Sequence, residues 1–168
     1  MRKILILLLL LTACKLPASP EKYFDAAALN ANSVSHFGSD YFITALGYSK
    51  RGSSQFNYEE QIKYAILRVE GNLENVNKLL PTKDTKAMLD ASKDLFQFTL
   101  DSYRNDHLPI AKMIDRKAPE EEVAKAMEAL DKKSYETFLV KYDKLYNIGT
   151  QYARDHDIKL VETPKFNR

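Results

Sequence analysis

Cysteine is nearly absent from this 168-residue chain: Cys14 stands alone, so neither a disulfide framework nor the Cys-x-x-Cys-His motif of covalent haem can be built within it. Tryptophan is missing altogether, and there are only five glycines and six prolines. Charge of one sign is not in excess either, with 25 Lys and Arg against 23 Asp and Glu. The excess of two cations equals Arg2 and Lys3 at the extreme N-terminus; without them the signs balance. A balanced chain gives no reason to expect nucleic acid, which asks for a basic face or stripe, nor a polybasic grip on anionic lipid. Long apolar runs are scarce as well. The run from Ile4 to Leu11 has eight residues, where a membrane-crossing helix needs roughly 20.

What is present at the N-terminus is ordered. The basic pair Arg2 and Lys3 precedes the apolar run, and small residues Thr12 and Ala13 come just before Cys14, which is the layout of a secretory signal. Leu11-Thr12-Ala13-Cys14 resembles the bacterial lipobox, the motif that ends in a cysteine to be lipidated. That resemblance implies cleavage before Cys14, a diacylglycerol on its sulfur and acylation, with palmitate for example, of the new amino group. Two or three acyl chains hold a protein on a bilayer where one does so only marginally, at roughly 0.8 kcal/mol per buried CH2. A plain cleaved signal with a stray thiol, or a buried cysteine acting as a small hydrophobe, are the competing readings of Cys14.

The chain divides accordingly into a cleaved signal (1–13), the lipidated cysteine with a short tether (14–19), a helical domain (20–160) and a tail (161–168). The tether KLPAS, Lys15 to Ser19, spans about 17 Å when fully extended, at roughly 3.4 Å per residue. Ser19-Pro20-Glu21 reads as a helix start, with a capping hydroxyl and a proline where no backbone donor is needed. Tyr23, Ala27, Asn30, Val34, Phe37, Tyr41 and Tyr48 then predict a first helix over about residues 20–48, weakened by Asn30 and Gly38. SKRGSSQFN (49–57) reads as a loop.

Asn57 with Glu60 three positions on predicts a capping box. Ile62, Ile66, Val69, Leu73, Val76 and Leu80 follow at alternating steps of four and three, a narrow seam predicting a helix from Tyr58 to Leu80 that Pro81 stops. A third helix, from near Thr82 or Asp84, carries Met88, Ala91, Leu95, Phe96, Phe98 and Leu100. Pro109 predicts a kink or break in it before Ile110, Met113 and Ile114 resume the pattern. Pro119 followed by three glutamates opens a fourth, in which Val123, Met127, Leu130, Phe138, Tyr142, Leu145, Gly149 and Tyr152 form the buried face; it frays near Asp157. The fold class is all-α, an antiparallel bundle of three to four long helices.

A lipobox, a Pro-Glu-x-Tyr start (Pro20 to Tyr23) and an aromatic, charged final helix (KYDKLYNIGTQYARDHDIKL) together resemble a group of uncharacterised all-helical bacterial surface or periplasmic lipoproteins. The resemblance implies a bundle on a lipid anchor and supplies no catalytic residues.

The residues themselves show no complete catalytic set. His36 and Asp40 share a helix face but make two metal ligands where a zinc site wants three or four. His107, beside Asp106 at the Pro109 interruption, reads either as lining a polar pocket or as a loop residue in water. His156 between Asp155 and Asp157 reads as a surface or capping residue. The Glu-x-x-His elements of di-iron bundles do not occur. Ser49 in GYSKRG lacks the glycine spacing and the preceding strand of a nucleophile elbow. Tyr135, Phe138, Tyr142 and Tyr152, with His107, form a candidate slot for an apolar or aromatic ligand, ordinary core packing being the alternative.

Three functions remain on these residues. The first is a non-enzymatic envelope lipoprotein, without cofactor, held to the bilayer through acylated Cys14 and contacting another envelope protein. The second is a carrier of a small apolar ligand opening at Pro109. The third is a metal-dependent enzyme requiring the histidines to converge. Lys15 after the cysteine, by resemblance to enteric sorting signals, points to the outer membrane; whether the domain faces the periplasm or the cell surface is open.

Overall fold

Proline and polar punctuation, more than glycine, decide where the helices of this chain begin and end. The structure, a computed structural model, describes residues 16–48 and 56–160; the lipobox with Cys14, most of the 49–57 loop and the 161–168 tail lie outside the described residues. Helix α1 (Pro20–Ala27) opens on the Ser19 hydroxyl, which accepts from the Lys22 N–H at 3.4 Å, with proline in its first turn. It does not run on to residue 48. A 3-10 segment (Leu29–Val34) and a π-helical turn (Tyr41–Ala45) replace the predicted long helix. The cause is local competition: Ser33 Oγ donates to the Asn30 carbonyl and Ser35 Oγ to that of Asn32, diverting acceptors that a regular helix would use.

Helix α2 (Tyr58–Asn77) is capped by Asn57, whose side-chain oxygen accepts from the Glu60 N–H at 2.8 Å. Only this half of the capping box forms; the Glu60 carboxylate accepts from the Tyr64 hydroxyl instead. A second carboxylate serves the same terminus, Asp115 accepting from the N–H groups of Tyr58 and Glu59 at 2.9 and 2.8 Å, where the helix dipole favours an anion. The helix ends three residues short of Leu80, and Leu79 turns inward in its place.

Helices α3 (Lys86–Ser102) and α4 (Leu108–Asp115) form one rod, joined by a π-helical turn (Tyr103–His107). Proline lacks a donor, and in a regular helix its ring meets the carbonyl four residues back. Here the Leu108 N–H donates to Tyr103 O, five residues back, and the wider turn lets the helix pass Pro109 without breaking. Lys117, at φ 56°, closes α4 with the paired bonds of a Schellman motif, Ala118 N–H to Met113 O and Lys117 N–H to Ile114 O. The last rod joins α5 (Glu120–Leu130) and α6 (Glu136–Asp155) through a third π turn (Asp131–Tyr135). The same motif at Asp157 ends it cleanly.

Cross-links fix the directions. Arg104 pairs with Glu70 between α2 and the α3–α4 rod, while Lys133–Asp106, Lys141–Asp94 and His156–Asp84 step along the α3–α4 and α5–α6 rods in antiparallel order. The described residues contain no strand, and the architecture is the predicted all-α antiparallel bundle.

Two helical glycines have opposite roles. At Gly149 an added Cβ would lie 2.6 Å from the Cβ of Ala28, so α1 and α6 touch through a position that has no room for a methyl. At Gly71 nothing lies within 4 Å. Gly71→Ala is therefore expected to raise stability by about 0.8 kcal/mol through helix propensity. Gly149→Ala is expected to lower it by about 1 to 2 kcal/mol, because overpacking outweighs the same propensity gain. Urea denaturation of the two variants side by side checks the sign.

Candidate functional site

The three π turns converge on one buried cluster. Phe37 and the first turn's Tyr41 and Phe42 pack against Tyr103 and His107 of the second and against Phe138, just after the third. Phe37 stacks on Phe138 with ring centres 4.2 Å apart and planes within 7°. Tyr103 meets His107 edge-on at 4.7 Å. Turns of this type occur mostly as single insertions, frequently at functional sites, and one added residue rotates everything after it by about 100° at 3.6 residues per turn. His107 lies four residues after Tyr103, on the same helix face, and is buried in a stretch, Arg104-Asn105-Asp106, that otherwise faces water.

Gly38, at φ 84°, makes the bend that delivers Phe37 into the cluster; a Cβ there would strike Asp131 and crowd the Tyr135 ring. Asp131 then clamps the bend, its two oxygens accepting from the Ser39 N–H at 2.9 Å and from the Ser39 hydroxyl. Asp106 stands beside the cluster, held by Lys133 at 2.7 Å.

His107 has no exposed surface. Its Nδ1 lies 3.2 Å from the Ser102 carbonyl and 3.3 Å from the Ser102 hydroxyl, an arrangement that places the proton on Nδ1. Nε2 has no hydrogen-bond partner, and neither has the Tyr103 hydroxyl. Burial holds the imidazole neutral, pulling it from 6.5 down to about 4; the Ser102 carbonyl, Asp106, Asp131 and the Gly38 carbonyl act in the other direction without overcoming it. The Gly38 carbonyl favours the protonated ring but makes no hydrogen bond with Nε2. Burial likewise pushes the Tyr103 phenol up.

The structure brings some of the predicted site residues together. His107, Phe138 and Tyr135 surround the Phe37–Gly38 bend, and Phe37 fills the face of Phe138 that a ligand ring would use. Tyr142 lies tilted against Phe138, ring centres 5.6 Å apart, and is only partly buried, its hydroxyl 3.4 Å from Asn32. Tyr152 belongs to the far end of the bundle, packed on His156 at 4.2 Å. The reading of His107 as an exposed loop residue is overturned by its burial within a continuous helical rod. Spacing had no means of finding the Asp131–Ser39 clamp, since its halves are 92 residues apart.

The histidines have separate partners: His36 pairs with Asp40 at 3.1 Å on the surface, His107 is sealed, and His156 pairs with Asp84 at 3.2 Å. Among the described residues no group of three or more His, Cys, Asp or Glu is placed to hold a metal ion, and no helix is long and apolar enough to cross a membrane. A surface groove of about 600 Å³ runs between the start of α1 and the end of α2, lined by Glu21, Lys22, Asp25, Asn75 and Lys78 among others. Its lining carries charges of both signs, with Ala26 and Leu79 between them.

Fold and site thus define an all-α bundle with a closed aromatic and histidine centre. Compared with family models, with curated proteins and with solved structures, the chain matches none.

Proposed function

We propose that this chain is a lipid-anchored protein of the bacterial envelope, a non-enzymatic helical module that works by surface contact with another envelope component. The observation that carries this reading is Leu11-Thr12-Ala13-Cys14 at the end of an eight-residue apolar run, in a chain with no other cysteine. Two structural features support it. The first helix begins at Pro20, so the domain follows the cysteine after a tether of about 17 Å. The interior is filled by the chain's own rings, Phe37 against Phe138 above all, which leaves the outer surface for recognition; a carrier would have to displace Phe37. Lys15 after the cysteine favours the outer membrane.

Mass spectrometry of the mature protein is expected to show an N-terminus at Cys14 bearing a diacylglycerol, and the protein is expected in the membrane fraction. Cys14→Ser should keep its signal or release the chain to the aqueous fraction, with membrane-bound protein falling at least tenfold. Wild-type protein that begins at Met1 with a free thiol, or Cys14→Ser protein that fractionates as wild type does, refutes the reading.

A further inference from the structure

We infer that one end of the bundle is a bilayer-seating surface, formed by residues 16–19, the α2–α3 turn and residues 156–160, and that its partner is the phospholipid headgroup layer. The inference rests on the lipid-anchored reading and adds to it a face and an orientation.

Four chain segments meet at this end. The Tyr23 hydroxyl of α1 donates to the Leu80 carbonyl in the α2–α3 turn. Asp84, at the approach to α3, pairs with His156 at the end of α6, and His156 packs on Tyr152. The points where the described chain begins, at residue 16, and where it leaves, at residue 160, therefore both belong to this end. Each of the three loops here exposes a leucine: Leu16 is 84% exposed, Leu80 38% and Leu160 42%. None of the three is placed by helix amphipathicity, because each lies outside the regular helices. Pro17 and Pro81 are exposed beside them.

The surrounding charges are mixed. Lys22, Lys83 and Lys159 are exposed, as are Glu21, Asp84 and Asp157. That balance suits a zwitterionic headgroup layer and leaves affinity to the acyl chains, with the leucines setting orientation. Reach excludes the opposite arrangement. The five residues from Lys15 to Ser19 extend about 17 Å, whereas the α3–α4 rod is about 45 Å long at 1.5 Å per residue. The α2 N-terminus, at the other end of that rod with Asp115 on it, cannot be the part that meets the bilayer while Cys14 is inserted and the bundle stands. The exposed Tyr64, 13 residues before the end of α2 at Asn77, then stands about 20 Å along the helix from the seating end.

The absence of tryptophan makes the orientation directly measurable. Four single-tryptophan variants of the full, lipidated chain, Leu80→Trp, Leu160→Trp, Tyr64→Trp and Val140→Trp, are reconstituted into vesicles of phosphatidylethanolamine and phosphatidylglycerol with and without brominated acyl chains. All four positions are exposed at least in part, so each tolerates the ring, and circular dichroism checks the fold. Leu80→Trp and Leu160→Trp are expected to emit at shorter wavelength and to lose half or more of their intensity with the brominated lipid, while Tyr64→Trp and Val140→Trp are unchanged. Protein that floats with the vesicles but shows no quenching at positions 80 and 160, or equal quenching at 64 or 140, overturns the seating surface and leaves the anchor intact. Protein that does not float overturns the anchor and the surface with it.

Discussion

Phe37→Ala is expected to lose about 4 kcal/mol of folding stability, which lowers the urea midpoint steeply. The ring is 1% exposed and touches side chains from both long rods: Phe138 at 4.2 Å, His107 at 5.1 Å, Phe98 at 5.9 Å and Tyr103 at 6.2 Å. Truncation removes the apolar burial of a whole ring and leaves a cavity whose walls belong to rods pinned by Lys133–Asp106 and Lys141–Asp94, so they cannot easily collapse into it. Single domains are stable by roughly 5–15 kcal/mol in total, and a loss of this size brings the variant near the folding threshold. Phe37→Leu, which keeps most of the apolar volume, should cost about 1.5 kcal/mol. Ile43→Ala, on the exposed side of the same segment, should change the stability by no more than about 0.5 kcal/mol. If Phe37→Ala unfolds at the wild-type midpoint, the 35–42 segment is not seated in the core.

The contrast between Phe37 and the α2 seam shows what spacing could and could not reveal. Ile62, Val69 and Val76 are buried as their steps of three and four require, because a regular helix turns a linear pattern into a face without help from the rest of the fold. The pattern fails at Leu80, where the helix has already ended. It fails more broadly over residues 29–48. There the apolar positions Val34, Phe37 and Tyr41 are indeed buried, but they reach the core through a 3-10 segment, a glycine bend and a π turn. Those shapes depend on serine hydroxyls nearby and on Asp131, which is distant in sequence.

Pro109 marked the position of the irregularity in the third helix but not its kind, since a proline is compatible with a break, a kink or a wider turn. Continuation of the helix, in place of a break, decides the candidate site, because it keeps His107 four residues after Tyr103 on the same buried face, inside the aromatic cluster. Two further π turns have no proline to announce them. Their shared role is to bring Phe37, Tyr103, His107 and Phe138 to one point, a convergence set by tertiary packing alone.

Acidification should expose the cost of keeping His107 neutral. In the unfolded chain its imidazole takes a proton near pH 6.5; in the fold, burial among Phe37, Tyr41, Phe42 and Tyr103 delays that to about pH 4. Between those values the unfolded state binds more protons, so stability rises with pH across the window, is fully present above 6.5 and has been lost once pH falls below about 4. At 1.36 kcal/mol per pH unit the loss is about 3 kcal/mol. The carboxylates of Glu21, Glu59, Glu74, Asp84 and Asp90 are held below their ordinary values by hydrogen bonds. Their own acid sensitivity therefore lies at and below the bottom of this window. His107→Phe separates the two effects: it keeps a ring in the cluster and removes the titrating group. The stability difference between wild type and His107→Phe, measured by urea denaturation from pH 8 to pH 4, should shift by about 3 kcal/mol in favour of the variant as pH falls, with most of the change below pH 6.5. A difference that stays flat across that range would mean that His107 titrates as it does in water, and that the aromatic cluster is open to solvent.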